Sequence, residues 1–467
     1  MFPRSRQVPQ LRRSALALGA LAGAALLAAA PASVATAQPP AHPHGAQYFV
    51  APDGDDQASG DRRHPWASLA RAQEVVEPGD TVFLRGGTYT FDDAVRDCTS
   101  QTDRVDVVAL TRSGTADRPI RYAAYRDETP VLDFSGVRDD CRIKGVGVTA
   151  DHLVLEGLEI TGVRQNNTLN NESWGVWVDG SHNLFDELDI HHIMGAGLFI
   201  QDGAGNLVRN CDAHDNYDPF SRTGAGQNAD GFGSHTDTPT VEENRFEGSR
   251  AWNNADDGFD FINSATPVTV HRSWAWHNGY VYGTDELAAS GNGTGFKLGG
   301  YGGDYEAGAV DITISASVAF DNTLRGFYAN HHPVGPTVVN NTAFDNGANY
   351  NMRGVAEDGS ATSVGTLRNN VSFGGGVLEY MDGVDSSHNS WDLGLELTEE
   401  DFLGVSHEGW DAPRQRDGDL PVLPLLRPAP GSAVIDRGVD VGLDFRGPAP
   451  DLGAFEYHPR SHGQHDR

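Results

Sequence analysis

Cationic side chains are scarce in this chain: 34 lysines and arginines stand against 65 aspartates and glutamates, for a formal charge of −31 over 467 residues. With no basic patch or stripe such a chain repels polyanions, so nucleic acid is excluded as an expected partner. An acidic polysaccharide would need a cation to bridge it to this surface. Cysteine is equally sparse, at 3 residues, and the spacing of Cys98, Cys141 and Cys211 resembles no zinc site. A Cys98–Cys141 bridge with Cys211 buried and free is the expected arrangement in an oxidising compartment, although spacing alone leaves the pairing open. Long amphipathic helical patterns are few, and after residue 30 no stretch is apolar enough to span a membrane.

The N-terminal residues read as an export signal. Arg4, Arg6, Arg12 and Arg13 precede an apolar run from Ala15 to Ala30 and the small-residue site Ala35-Thr36-Ala37. Cleavage is expected before Gln38. Arg12-Arg13 also permits a twin-arginine route; the flanking residues do not decide between the two, and the general secretory route is the expectation. Removing the leader takes away four arginines and no acids, which leaves −35. The expected organisation is a signal peptide over 1–37, one domain over 38–457 and a disordered tail over 458–467. The protein is expected to be secreted and monomeric.

Glycine, at 56 residues, is abundant, and short β-branched or aromatic runs recur between about Asp151 and Phe373. In five of these runs an asparagine follows an alanine by three residues: Asn216, Asn254, Asn278, Asn322 and Asn346. Their spacings of 38, 24, 44 and 24 residues fit one coil of about 22 to 24 residues, with loops inserted in some coils. This register predicts an all-β parallel β-helix with an asparagine ladder, in which stacked amides satisfy buried turn groups. The segment from Pro65 to Ala72 predicts a short helix that caps the first coil. Ala433–Gly438 and Pro450–Tyr457 predict a cover near the other end. Insertions at 223–240 and 280–292 are expected to wall a cleft.

Three motifs carry the chemistry: Asn228-Ala229-Asp230-Gly231-Phe232, Asn253-Asn254-Ala255-Asp256-Asp257-Gly258-Phe259-Asp260, and Gly291-Asn292-Gly293-Thr294-Gly295-Phe296-Lys297-Leu298-Gly299-Gly300. Aspartates next to glycine often only make turns. Four of them on successive coils instead suggest a site for a hard cation with several oxygen ligands. Lys297, set among glycines that allow close approach of a substrate chain, is the candidate base. To act as one it must lose its proton near neutral pH, which burial or neighbouring positive charge favours.

In order and content these motifs, followed by Arg325-Gly326-Phe327 and Asn340-Asn341-Thr342-Ala343-Phe344-Asp345-Asn346-Gly347, resemble polysaccharide lyase family 9, a group that includes secreted pectate lyases. The resemblance covers nearly the whole mature chain. It implies that Asp230, Asp256, Asp257 and Asp260 hold Ca2+. It also implies that Lys297 abstracts the C5 proton of a galacturonan, a plant cell-wall polysaccharide, in a β-elimination. Arg325 and His235 are expected to bind substrate, Arg325 through a carboxylate. His235, at a position where many relatives carry lysine, and the run Tyr328-Ala329-Asn330-His331-His332 depart from the family pattern near the presumed cleft. These departures bear on the polymer chosen more than on the reaction. The alternatives are a rhamnogalacturonan lyase, an inverting glycoside hydrolase using the same aspartates, and a non-catalytic carbohydrate-binding β-helix with Trp252, Trp274 and Trp276 as stacking surfaces.

Overall fold

The computed structural model describes residues 45–92, 98, 100, 102–165, 171–300 and 310–459, so the leader and the chain from 460 onward lie outside the described residues. Three long sheets of 12, 10 and 10 strands lie between Gln47 and Ser387, each strand pairing in parallel with its equivalent one coil away. One sheet matters most here. Its strands, in chain order, are β1 (Arg104–Leu110), β2 (Arg142–Val148), β3 (Ser173–Val178), β4 (Gly195–Ile200), β5 (Phe232–Ser234), β6 (Phe259–Asp260), β7 (Thr294–Lys297), β8 (Arg325–Tyr328), β9 (Ala348–Asn351) and β10 (Val377–Glu379). This is the predicted parallel β-helix.

The core explains the recurring Gly-Phe pairs. Phe232, Phe259, Phe296, Phe327 and Tyr350 are in register, fully buried, and stacked at centroid distances of 5.0, 4.7, 5.2 and 5.1 Å. The glycine before each phenylalanine is forced by coil spacing: a Cβ at Gly258 would lie 2.7 Å from the carbonyl oxygen of Gly295, and one at Gly231 2.7 Å from that of Gly258. Because side chains alternate along a strand, the residue after each phenylalanine points out of the barrel. Asp260, Lys297 and Tyr328 are therefore consecutive neighbours on one outer face.

The asparagine ladder is present. Asn216 donates to Asn254 (2.8 Å), Asn254 to Asn278 (3.1 Å), Asn278 to Asn322 (2.9 Å) and Asn322 to Asn346 (2.8 Å), all buried. Asn254, Asn278, Asn322 and Asn346 also donate to the carbonyls of Ala213, Ala251, Ala275 and Ala319 respectively, one coil back. The small alanine leaves room for the amide, which is why the two residues recur together. A second ladder, Asn341 to Asn370 to Asn389, continues the device near the C-terminal end.

Helix α1 (Leu69–Val75) buries Leu69 and Ala72 against the first coil, and its N-cap Ser68 accepts from the Arg71 amide at 3.1 Å, so the helical cap is where expected. Cys98 and Cys141 form the disulfide, and Cys211 is free and buried. The C-terminal segment differs from its expectation. Instead of closing the end, it runs back along the outside of a different sheet, the third, which contains Arg250–Trp252, Trp274–Trp276, Val318–Phe320 and Thr342–Phe344. There Phe402, Trp410, Leu420, Leu425, Val434 and Leu452 pack onto Trp252, Trp274, Trp276, Phe320 and Phe344. Asp212 anchors it by pairing with both Arg250 and Arg414, at 2.6 Å each. Trp391, stacked obliquely on Tyr350, lies at the last coil. The tryptophans considered as stacking surfaces are thus covered by the protein itself.

Candidate active site

The acidic motifs meet on the outer face of the sheet at β5, β6 and β7. Asp230 sits in the turn before β5, Asp257 in the turn before β6, and Asp260 at the end of β6. Carboxylate oxygens of these three buried residues lie within 4.8 Å of one another. Backbone amides orient them: Asp230 accepts from the Asp257 amide (3.1 Å), Asp257 from Thr294 (2.9 Å) and Asp260 from Ile262 (2.8 Å). Asp256 is buried beside them but outside that group of three, its carboxylate accepting from the Asn292 amide at 2.6 Å.

Lys297, one strand over and in register with Asp260, is buried, and its Nζ donates to Asp257 at 3.0 Å and Asp260 at 2.9 Å. Burial pushes its pKa down, but Asp257, Asp260, Asp256 and Asp230 outweigh burial and hold it well above the usual lysine value. This reverses the sequence expectation of a depressed lysine: four nearby carboxylates set the local field. Burial, then repulsion from Asp260 and Asp257, raises Asp230 well above the carboxylate range, and burial with Asp257 and Asp230 does the same for Asp256. Asp257 is also raised, chiefly by burial, whereas Asp260 is lowered because Lys297 and His235 override its burial.

Four buried carboxylates against one lysine and one histidine make a centre short of positive charge. Hard oxygen donors converging in a buried, mutually repelling group could hold a metal ion. Asp230, Asp257 and Asp260 are the residues positioned to hold it, with Asp256 at the margin.

His235 lies beside this group, with Nε2 3.6 Å from Asp260 and otherwise without a hydrogen-bond partner, and its ring edge-on to Phe199 at 4.6 Å. Arg325, at the start of β8, rests its guanidinium 4.2 Å above the Tyr328 ring, and no carboxylate among the described residues pairs with it. Tyr328 is the register neighbour of Lys297. His332, read as part of the cleft, is instead structural. It is fully buried, with Nε2 3.0 Å from the Val310 carbonyl and Nδ1 accepting from the amides of Val334 (3.2 Å) and Gly335 (2.8 Å). The glycines near Lys297 also have a packing reason, since a Cβ at Gly295 would lie 2.9 Å from the Asn322 amide nitrogen and 2.9 Å from the Gly326 carbonyl.

A cleft of about 340 Å³ opens above the acidic group. Gln227, Asn228 and Asn292, from the two insertions, line it as expected. It also extends to Arg104, Arg142, Trp174, Trp177 and Phe199, which sequence reading did not single out. A larger cavity of about 700 Å³ lies under the C-terminal segment near Trp274 and contains none of the candidate residues. Its Arg272 is already paired with Asp419 at 2.8 Å.

Comparison with known proteins gives consistent results. The family model described as Pel9A-like, right handed beta helix region, matches residues 48–370. Pectate lyase L of Dickeya chrysanthemi is 35% identical over 414 residues, 88% of this chain and 90% of its own. Pectate lyase PEL9 of Emericella nidulans is 29% identical over 412 residues, covering 83% and 94%. Among solved structures, pectate lyase Pel9A superposes with a TM-score of 0.74 at 35% identity, covering 88% of this chain and 96% of that one. A rhamnogalacturonan lyase superposes with a TM-score of 0.75 at 34% identity, covering 82% and 97%.

Proposed function

The chain belongs to the Pel9A-like family of right-handed β-helix polysaccharide lyases, and on that basis we propose that it is a secreted, calcium-dependent pectate lyase that cleaves polygalacturonate by β-elimination, with Lys297 as the base. The observation that carries the proposal is the juxtaposition of Lys297 with Asp230, Asp257 and Asp260, of which Lys297, Asp230 and Asp260 line the cleft. Family membership sets aside the hydrolase and the purely binding alternatives.

When bound, a calcium ion held by Asp230, Asp257 and Asp260 supplies the positive charge that the centre lacks and a partner for the substrate's uronate carboxylate. Lys297, relieved of its proton, takes the C5 hydrogen as H⁺ through Nζ. The electron pair of the C5–H bond becomes the C4=C5 double bond while the C4–O4 bond breaks with its pair on O4, which takes up a proton from solvent to leave as a hydroxyl. One product therefore begins with a 4,5-unsaturated sugar and the other ends in a free 4-OH. Burial of Lys297 fixes its amine in place and keeps bulk water from competing for it. Arg325, one strand beyond and with no carboxylate partner among the described residues, is suited to grip a carboxylate of the same polymer bidentately. His235, against Asp260, occupies the wall where the adjoining sugar would rest.

Export is supported by the leader motif and by the Cys98–Cys141 disulfide. No helix among the described residues is long and apolar enough to cross a membrane. The test is the near-ultraviolet absorbance of polygalacturonate incubated with mature protein, with calcium and with a chelator, at mildly alkaline pH. A rise abolished by the chelator supports the proposal. A flat trace rejects polygalacturonate and moves the assignment to a rhamnogalacturonan, the second reading, which rests on the 34% identical neighbour of that activity.

A further inference from the structure

Upstream of the acidic centre, the same sheet carries a cationic group on an aromatic base. Trp174 and Trp177 of β3 meet edge to face at 4.3 Å, and Trp177 stacks on Phe199 of β4 at 5.4 Å. Both indoles are buried, so they offer no open face to a sugar. What covers them is charged. The Arg104 guanidinium lies 4.5 Å from the Trp177 centroid and 5.5 Å from Trp174, and that of Arg142 lies 4.3 Å from Trp174.

These two arginines differ in their pairing. Arg142 is bound to Glu172. Arg104 is exposed and pairs with no carboxylate among the described residues. Burial first, and then the nearby cations Arg104 and Arg222, push the Arg142 pKa down to about 10. In a chain with almost twice as many acids as bases, an arginine left without a carboxylate beside two others marks a place where an anion is expected from outside. The aromatic base holds the guanidinium in position, which lowers the entropy lost when it binds one.

Arg104 and Arg142 line the cleft that also contains Asp230, Asp256, Asp260 and Lys297. From β3, over which Arg104 lies, to β7, which carries Lys297, there are four strand spacings, about 19 Å. A group held at Arg104 is therefore on a different sugar from the one undergoing elimination. We propose that Arg104, positioned by Trp174 and Trp177, forms a distal subsite for a uronate carboxylate of the same polymer, which places the substrate along the barrel axis toward the N-terminal coils. This rests on the polyuronate reading above. It assigns Arg104 to polymer affinity and chain-length preference, with no part in the chemistry.

The test compares wild type, Arg104→Gln and Arg104→Lys in the full mature protein. Two readouts are used: initial rates on polygalacturonate and on the shortest oligogalacturonate cleaved, and calorimetric binding of polygalacturonate. A lost charge-assisted contact predicts that Arg104→Gln raises KM for the polymer about tenfold. The same variant leaves kcat and the short-oligomer kinetics unchanged, and the difference shrinks as salt rises. Arg104→Lys regains part of the affinity as a point charge. Arg104 is exposed, so melting temperatures should agree among the three proteins. Equal polymer KM and equal binding in wild type and Arg104→Gln overturn the subsite. If no protein forms unsaturated product yet Arg104→Gln still binds the polymer about tenfold more weakly, the subsite stands and the lyase assignment falls.

Discussion

Replacing Lys297 by methionine separates the two roles the structure implies for the amine, because methionine keeps the buried stem and removes only the charge and the proton-accepting nitrogen. For catalysis, loss of a positioned general base lowers kcat by roughly 10²- to 10⁴-fold. For stability, Nζ donates two hydrogen bonds, at 3.0 and 2.9 Å, to carboxylates that are themselves buried. Removing one partner of such a group costs about 3–5 kcal/mol, since His235, 3.6 Å from Asp260, is then the nearest basic side chain left. In chelator this penalty depends on pH. Asp230 and Asp256 already have raised pKa values, through burial first and then neighbouring carboxylates. The folded state therefore binds protons more tightly than the unfolded chain, so stability is greatest below the unfolded carboxylate pKa and is lost as pH rises through the folded values. Methionine at 297 removes the main counter-charge and steepens that loss.

The assay pairs product absorbance with denaturant midpoints, each measured with calcium and with chelator from acidic to mildly alkaline pH. The expected result is a variant that folds, melts close to wild type in acid or in calcium, falls progressively below it in chelator as pH rises, and turns over at a small fraction of the wild-type rate throughout. A kcat within a few fold of wild type would remove Lys297 from the role of base. A destabilisation that does not change with pH would show that the carboxylates are not coupled to it.

Other predictions concern the metal, the ladder and a buried histidine. Calcium should raise the melting temperature of the wild-type protein in proportion to the logarithm of its concentration, and Asp257→Asn should blunt the shift; no shift in the wild type would remove the metal from this centre. Asn278→Ala deletes an acceptor for the Asn254 amide (3.1 Å) and side chain (3.1 Å) and two donated bonds, to Ala251 (3.2 Å) and Asn322 (2.9 Å), so it should cost about 3 kcal/mol by denaturant unfolding. A cost below about 0.5 kcal/mol, typical of a surface site, would show that the ladder is ornamental to stability. Burial above all pushes His332 down to about 4. A histidine depressed in this way stabilises fully above its unfolded pKa and loses that contribution as pH falls, about 3 kcal/mol between neutrality and pH 4. His332→Gln should flatten this acid limb, and an unchanged slope would refute the assignment.

The parts of this architecture that sequence reading reached were those repeated in register. The alanine and asparagine pairs are one example: each ladder amide needs both the next asparagine and the carbonyl of an alanine one coil back, so two residue types recur together at a fixed offset. Asp230, Asp256, Asp257, Asp260 and Lys297 were legible for the same reason, lying at equivalent turns and strand ends of successive coils. Arg104, Arg142 and Trp174 had no such signal. They come from earlier coils separated by insertions, and each alone is an ordinary surface arginine or core tryptophan. Their meaning arises only when parallel pairing lays β1, β2 and β3 side by side.

The C-terminal cover was misread although its trace is visible in the chain. In the third sheet Ala251, Ala275, Ala319 and Ala343 are fully buried and point into the barrel. The residues on either side of each must then point out. Those residues include Trp252, Trp274, Trp276, Val318, Phe320 and Phe344, a continuous apolar stripe on what would be the outside of the solenoid. Exposed, it would be an aggregation surface. Long irregular chain at residues 390–457 is what buries it, fixed at Asp212 by Arg250 and Arg414. Small residues inward and aromatic residues outward on one face of a β-helix thus signal a lateral cover. The site face shows the opposite pattern, with phenylalanine inward and Asp260, Lys297 and Tyr328 outward, which leaves that face open to a polymer.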